Sequence, residues 1–478
     1  MLSLRGIRSV VAVGAVGFSV VLGGDSAWAL DPEVAALVRF ETRGNAVASR
    51  SDAMIPIEHY EIPLESLESD ISMRIPIDVR DSLIFEKAGK KYVRWLINPE
   101  DTKWHKEVEK WLDKKGLPKT RHKHFSAYMT ASRSYIVEDP ITKAQFSAKV
   151  STDVTGGAWR DKKQPIDDAR QVRMAADFVQ DELEKQGVTH SIIMDEPAMF
   201  GIKDIDQAML VRTLNGLTDD EKYYLPGFSA VHENVGRKIA EKNGATNVAA
   251  FWNEHYNKPL GRALAEFSAR FGMAFDSPHS QNFLVELDKD LKPTGKIVIR
   301  DFGDSYVTAD FFVAKGRPDF VAKWEKDNIL KKQIHMAVGL LHGNDMPSWL
   351  SNQEYMQWGR DFFEEYESEM SKITGVPRSK LRDQMYVSGR YFSKNYSVNH
   401  PEWRKYLGIP DVSAVDQQLA ATMAARGAGR AQAKSSNRLV ANLVKVAPGG
   451  DALTAAQLLT KCMQQFKNMQ VPDPGNPR

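Results

Sequence analysis

Two stretches of this chain concentrate side chains suited to holding anions and divalent cations. The first, 130–160, reads TASRSYIVEDPITKAQFSAKVSTDVTGGAWR and carries Ser132, Arg133, Ser134, Lys149 and Arg160. Guanidinium and ammonium groups neutralise phosphate or carboxylate oxygens, and hydroxyls add donors to them. The second, 277–305, reads SPHSQNFLVELDKDLKPTGKIVIRDFGDS and carries His279, Gln281, Asn282, Arg300 and Asp301. Amide and carboxylate oxygens are the hard ligands that Mg²⁺ takes, and an imidazole titrates near working pH. Such a set suits a polyanionic ligand and a divalent cation better than it suits a core.

The surrounding patterns say how these residues are positioned. The apolar run 283–287, the polar turn 288–295 and the β-branched run 296–299 predict a hairpin whose two ends meet at one edge. Residues 125–137 and 144–154 read as strands around a turn at Glu138-Asp139-Pro140. Ser132, Arg133 and Ser134 then share one strand, antiparallel pairing sets Arg133 near Lys149, and Arg160 follows the break at Gly156-Gly157. Arg212 lies in 208–217, which reads as a strand or a helix. Apolar periodicity predicts helices over 101–114 and 166–185, with the lysines of the first on a solvated outer face. Alternation over 70–85 predicts extended structure, as do the runs 90–97 and 189–194. Helices are expected over 247–271, 322–341, 353–374 and 414–446, with a last one carrying Cys462.

Composition narrows the classes. The chain has 478 residues, 42% hydrophobic and 26% charged, enough for two or three packed domains. A net charge of +2 offers no global attraction for nucleic acid or an anionic membrane. The lone Cys462 excludes an intrachain disulfide and a four-cysteine zinc site. Residues 1–29 have the layout of a secretory signal peptide: Arg5 and Arg8, an apolar stretch over 9–22, then Ala27-Trp28-Ala29. That stretch falls short of the roughly 17–25 residues that span a bilayer. The expectation is a periplasmic or secreted protein with no stable membrane span after cleavage. His122 and His124, His232-Glu233 and Glu254-His255 lack the spacing of a zinc helix and read as surface or packing residues.

Taken together, ASRSY, KVSTDVTGGAWR, FGMAFDSPHSQNFLVEL and KIVIRDFGDS, with IIMDEPA and LVRTLNGL between them, resemble one family. It is that of the siderophore synthetases that work independently of non-ribosomal peptide synthetases, the aerobactin synthetase type. The resemblance covers roughly 128–305 and extends loosely into the C-terminal part. It implies an α+β fold shaped as a cupped hand. The signal peptide 1–29 would be followed by a reduced N-terminal thumb over 30–120, β-rich fingers over 121–246, and a mainly helical palm over 247–478 that contains the 277–305 hairpin. It also implies an ATP-dependent ligase that condenses a citrate-like carboxylate with an amine or alcohol through an acyl-adenylate. Ser132, Arg133, Ser134, Lys149, Arg160 and Arg212 would hold ATP or the carboxylate. His279, with Lys149 and Arg160, would serve the reacting centre. Gln281 and Asn282 would bind the nucleotide, with Asn282 and Asp301 on Mg²⁺. A homodimer is left open.

The chain departs from the family pattern at named points. Ser134 stands for a threonine, Ser280 for a glycine and Asp304 for a second glycine. The N-terminal histidine-proline motif is absent. An exported protein also meets little ATP. A second reading is therefore an exported, non-catalytic binding protein for a polycarboxylate or ferric siderophore on the same scaffold. A kinase-like reading of Asp301-Phe302-Gly303 lacks its glycine-rich loop, and Gln281 occupies the place of the catalytic aspartate.

Overall fold

The strand-forming runs assemble around one large sheet in the computed structural model of the chain. The structure describes residues 55–129, 133–154, 162–214, 222–275, 280–326, 329–330, 334–337 and 347–388, all within one compact unit, 1–424. The architecture is α+β. In chain order the first strands are β1 (Ile55–Pro63), β2 (Glu68–Ile71), β3 (Ile84–Lys87), β4 (Lys90–Leu96), β5 (Arg121–Met129), β6 (Ser134–Glu138), β7 (Gln145–Lys149), β8 (Ser191–Ile193), β9 (Ala198–Ile202) and β10 (Gln207–Thr213). All but β8 form a nine-stranded sheet in the order β2-β9-β10-β7-β6-β5-β1-β4-β3. Strands from both sides of residue 120 pair directly, β1 with β5.

Alternation along these strands separates two faces. Tyr135, Val137, Phe146, Ala148, Met209 and Val211 enter one apolar core together with Val108, Trp111 and Leu112 of a helix, Trp104–Lys115. Ser134, Ser147, Lys149, Leu210 and Arg212 occupy the alternate positions. The second helix, Ile166–Gln186, covers the Leu210 end of that face through Ile166, Ala169 and Val172. His59 sits on the edge of the first core, its ring 5.6 Å from that of His122 and 6.3 Å from that of His124. Burial first, then Arg94, pushes its pKa down to about 3, so it packs as a neutral ring.

A second sheet joins β11 (Lys222–Pro226), β13 (Phe283–Asp288), β14 (Pro293–Ile299) and β8; β12 is Met273–Phe275. Phe283, Val285, Leu287, Ile297 and Ile299 point into a large core built with the helices Lys258–Phe271 and Asn352–Thr374. Leu284 and Val298 point the other way and meet Met194, Leu214 and Ile136, which ties this sheet to the large one. The expected hairpin is present: Phe283 pairs with Ile299, and the Arg300 amide donates to the Asn282 carbonyl at 3.2 Å.

Three expectations change. Residues 77–83 are a helix, Ile77–Leu83, rather than extended chain. Pro76 precedes its first residue as the N-cap, and Val79 and Leu83, four apart, are buried while Ile77 is exposed. The long helix over 322–341 is replaced by a short one, Pro318–Lys323, followed by the strands Ile329–Leu330 and Ile334–Ala337. Trp324 ends that helix: it is buried in extended backbone and its indole donates to the Ser305 carbonyl at 3.0 Å. Arg133 lies in the turn before β6 instead of inside the strand. The helices expected beyond 388 lie outside the described residues, as does the signal-like segment. No helix among the described residues is long and apolar enough to cross a membrane.

Candidate functional site

The polar positions of the large sheet meet the end of the hairpin. Lys149 closes β7, directly opposite Ser134 on β6 and Leu210 on β10. Two residues back, Ser147 faces Arg212. Lys149 is only 7% exposed and Arg212 only 3%. A charge buried so deeply requires an opposite charge or a ligand.

Asp301 supplies part of it from 152 residues along the chain. The Lys149 ammonium donates to Asp301 Oδ1 at 2.6 Å, and Arg212 Nη2 donates to the same oxygen at 2.6 Å. The Asp301 side chain remains 31% exposed. Its place is set by the two residues after it. Phe302 is fully buried, with its ring 5.7 Å from that of Phe267, which is worth about 1.5–3 kcal/mol of apolar burial. Gly303 presses so closely on the helix at Val172 that a Cβ would lie 2.2 Å from Val172 Cγ2, and its carbonyl accepts from Gln171 Nε2 at 2.6 Å. This seat forces Asp301 into the left-handed region, φ +62°, which an aspartate tolerates better than most residues.

Glu196 completes the cluster. It follows β8, is fully buried, and its Oε1 accepts from Arg212 Nε, so Arg212 is gripped by a carboxylate on each side. The second oxygen of Glu196 is buried without a partner. Arg133 donates to the Lys163 carbonyl, and its charge bears on both Lys149 and Asp301. The electrostatics follow. Burial pushes the Lys149 ammonium down, as do the Arg133 and Arg212 charges, and Asp301 opposes them. Burial alone would raise Asp301, but Lys149 and then Arg212 hold it well below the usual carboxylate range. Arg212 stays charged because Glu196 and Asp301 outweigh its burial.

Of the residues singled out in the sequence, Lys149, Arg212, Asp301, Arg133 and Ser134 converge here. Asn282 stands at the facing end of the same hairpin. Ser132, Arg160 and His279 lie outside the described residues, as does the side chain of Gln281. Glu196 was not foreseen as a site residue. Its signal is an acidic pair, Asp195-Glu196, that closes the strand-like run 189–194 and precedes a proline.

Among the described residues, no group of three or more histidine, cysteine, aspartate or glutamate side chains is arranged to hold a metal. The described donors fit a cation carried in on a phosphate ligand, because Lys149 and Arg212 share Oδ1 of Asp301 and leave its other oxygen to a newcomer.

No family model and no curated protein matches this chain. Among solved structures it is similar to the petrobactin biosynthesis protein AsbB of Bacillus anthracis str. Sterne, at 13% identity and TM-score 0.49, over 72% of this chain and 64% of that one. It is similar to the aerobactin synthetase IucC of a hypervirulent pathotype of Klebsiella pneumoniae, at 10% identity and TM-score 0.48, over 79% and 70%. The ATP-bound aerobactin synthetase IucA of such a pathotype matches at 14% identity and TM-score 0.42, over 69% and 63%. The chain thus spans less than two thirds of AsbB and of ATP-bound IucA.

Proposed function

We propose that the protein is an ATP-dependent ligase of the siderophore-synthetase type, condensing a citrate-like carboxylate with an amine or alcohol. One observation carries this reading: two deeply buried cations, Lys149 and Arg212, converge from the sheet on a partly open edge with a single carboxylate of the hairpin between them. In the reaction, a carboxylate oxygen would attack the α-phosphorus of ATP and pyrophosphate would leave. The nucleophile would then attack the acyl carbon, lose its proton and release AMP. The first step brings two anions together, so its barrier falls where fixed cations neutralise the developing charge. Lys149, Arg212 and Arg133 are placed to do that, and Glu196 holds Arg212 so that little reorganisation is needed. Asp301 and Asn282 would hold the Mg²⁺ that accompanies the triphosphate, which adds Lewis-acid neutralisation. By the resemblance, Arg160, Ser132, Ser134 and Gln281 would add phosphate contacts and His279 would sit at the reacting centre. The cupped-hand arrangement and a homodimer belong to the same reading.

The test is pyrophosphate exchange by the full chain with Mg·ATP and citrate. Exchange is expected, and Lys149→Ala is expected to reduce it by at least a hundredfold, since one electrostatic group at such a centre is worth roughly 10²–10³ in rate.

A second reading has its own support. The Asp301 ion pairs complete the pocket without a nucleotide, and residues 1–29 have the layout of an export signal. On that reading the pocket binds a polycarboxylate or ferric siderophore in the periplasm or outside the cell, without turnover. Tricarboxylate binding with no ATP binding would sink the ligase reading and favour this one.

A further inference from the structure

We propose that Asp301 makes this pocket select an anion that carries a divalent cation over the same anion without one. The inference rests on the anion-binding reading of the Lys149–Arg212 cluster.

Among the described residues the charges at the site are nearly balanced from within. Lys149, Arg212 and Arg133 bring three positive charges, and Glu196 and Asp301 bring two negative ones. Glu196 is committed to Arg212 Nε and fully buried, so it moves with the sheet. Of these described groups Asp301 sits at the open edge, and its Oδ1 accepts one donor of Lys149 and one of Arg212, which keeps a negative charge against both cations. A bare polyanion must compete with this carboxylate for both cations and face it at contact range, where like charges repel strongly in partly dry surroundings.

The carboxylate has no easy retreat. Its backbone sits at φ +62°, and the two residues that follow, buried Phe302 and Gly303 packed against Val172, anchor it there. A divalent cation changes the sign of the encounter. Asp301 then gains an attraction of its own through the oxygen it does not share with Lys149 and Arg212, and those two cations become available to the phosphate or carboxylate. The same residue thus penalises the bare anion and rewards the metal-bound one. This differs from a ligand role alone, which would reward the metal-bound form without any penalty on the bare one.

Calorimetric titration of the full chain with pyrophosphate, once with a chelator and once with Mg²⁺, tests the proposal. Wild-type protein is expected to bind the metal-free form at least tenfold more weakly. Asp301→Asn keeps the side-chain shape and accepts the left-handed backbone. It is expected to tighten metal-free binding by roughly tenfold, the scale of a modest change in charge interaction, and to erase most of the preference for Mg²⁺. An Asp301→Asn protein with wild-type circular dichroism whose metal-free affinity is unchanged or lower overturns the proposal. Equal wild-type affinity with and without Mg²⁺ overturns it as well, even if the variant fails to fold. Gain of metal-free binding by Asp301→Asn in a protein that never binds Mg·ATP supports the role of Asp301 and removes the ligase reading. Absence of pyrophosphate binding in both proteins under both conditions overturns both.

Discussion

The adjacent residues Asp195 and Glu196 send one carboxylate into each of two ion networks, and the two networks are built in opposite ways. Glu196 joins Arg212, Lys149 and Asp301, where Arg212 and Lys149 are only 3% and 7% exposed and the cations outnumber the described acids once Arg133 is included. Asp195 joins Arg74, which also bonds Asp177 and Asp181, while Arg173 bonds Asp177 at 2.7 Å and the Glu196 carbonyl at 2.5 Å. There the acids outnumber the cations, and Asp177 and Asp181 are 42% and 53% exposed. In this network Arg173 is fully buried, but the surplus lies with acids and its outer members Asp177 and Asp181 are screened by water, so it needs no ligand. A network with surplus cations in a dry setting gains most from an incoming anion. Burial and the sign of the surplus, rather than the number of charges, separate the candidate site from its scaffold.

The widest separation between the two is expected on removing one arginine from each. Arg212→Met leaves Glu196 buried with no opposite charge and strips Asp301 of a partner. Breaking a buried ion pair from one side costs about 3–5 kcal/mol, so chemical denaturation should show a loss of that size, and pyrophosphate affinity should fall with it. Arg74→Ala removes bonds to Asp177 and Asp181, which water can solvate, and one long 3.4 Å bond to the more buried Asp195, so a smaller loss of about 1 kcal/mol is expected, with pyrophosphate affinity unchanged. Equal losses in the two variants, or loss of anion binding in Arg74→Ala, would erase the distinction between scaffold and site.

How much of this was readable beforehand follows the same physical divide. Local patterns carried well: the hairpin, the helix Ile166–Gln186, the helix Asn352–Thr374 and the antiparallel pairing of β6 with β7 all follow from periodicity and turn residues, although the register sets Ser134 rather than Arg133 opposite Lys149. The Asp-Phe-Gly stretch stood out as polar chemistry, but its dependence on Val172 did not, because nothing in Gly303 itself announces a helix 131 positions away in sequence. Arg212 was noticed inside the apolar run LVRTLNGL, yet its two carboxylates come from residues 16 and 89 positions away. Alternation misled at 77–83, where Pro76 and the i, i+4 pair Val79 and Leu83 override a period of two. The helix over 322–341 failed because Trp324 packs under Ser305, a tertiary contact that local propensity does not contain.

The smallest effect, and the one that tests the sign of each network, concerns Asp195. Burial raises its pKa above the ordinary value near 4, although Arg74 and Arg173 pull it down. One of its oxygens, Oδ1, is buried without a partner. Because the folded value lies above the unfolded one, the ionised group costs stability. The cost is absent below the unfolded pKa, grows as pH rises through the interval up to the folded pKa, and is constant beyond it. Asp195→Asn keeps an acceptor for Arg74 and removes the charge, so it should be neutral to stabilising by about 0.5 kcal/mol at pH 7, with the gain disappearing below about pH 4. Asp301 has the reverse sign. Its folded pKa is depressed, so its contribution is fully present above about pH 4 and is lost as pH falls through the folded value. Asp301→Asn should therefore be destabilising at pH 7 and lose that penalty only in stronger acid. Denaturation of both variants from pH 3 to 7 reads the two signs side by side. A destabilised Asp195→Asn at pH 7 would mean that Arg74 needs the charge, and that the rim network is as demanding as the pocket.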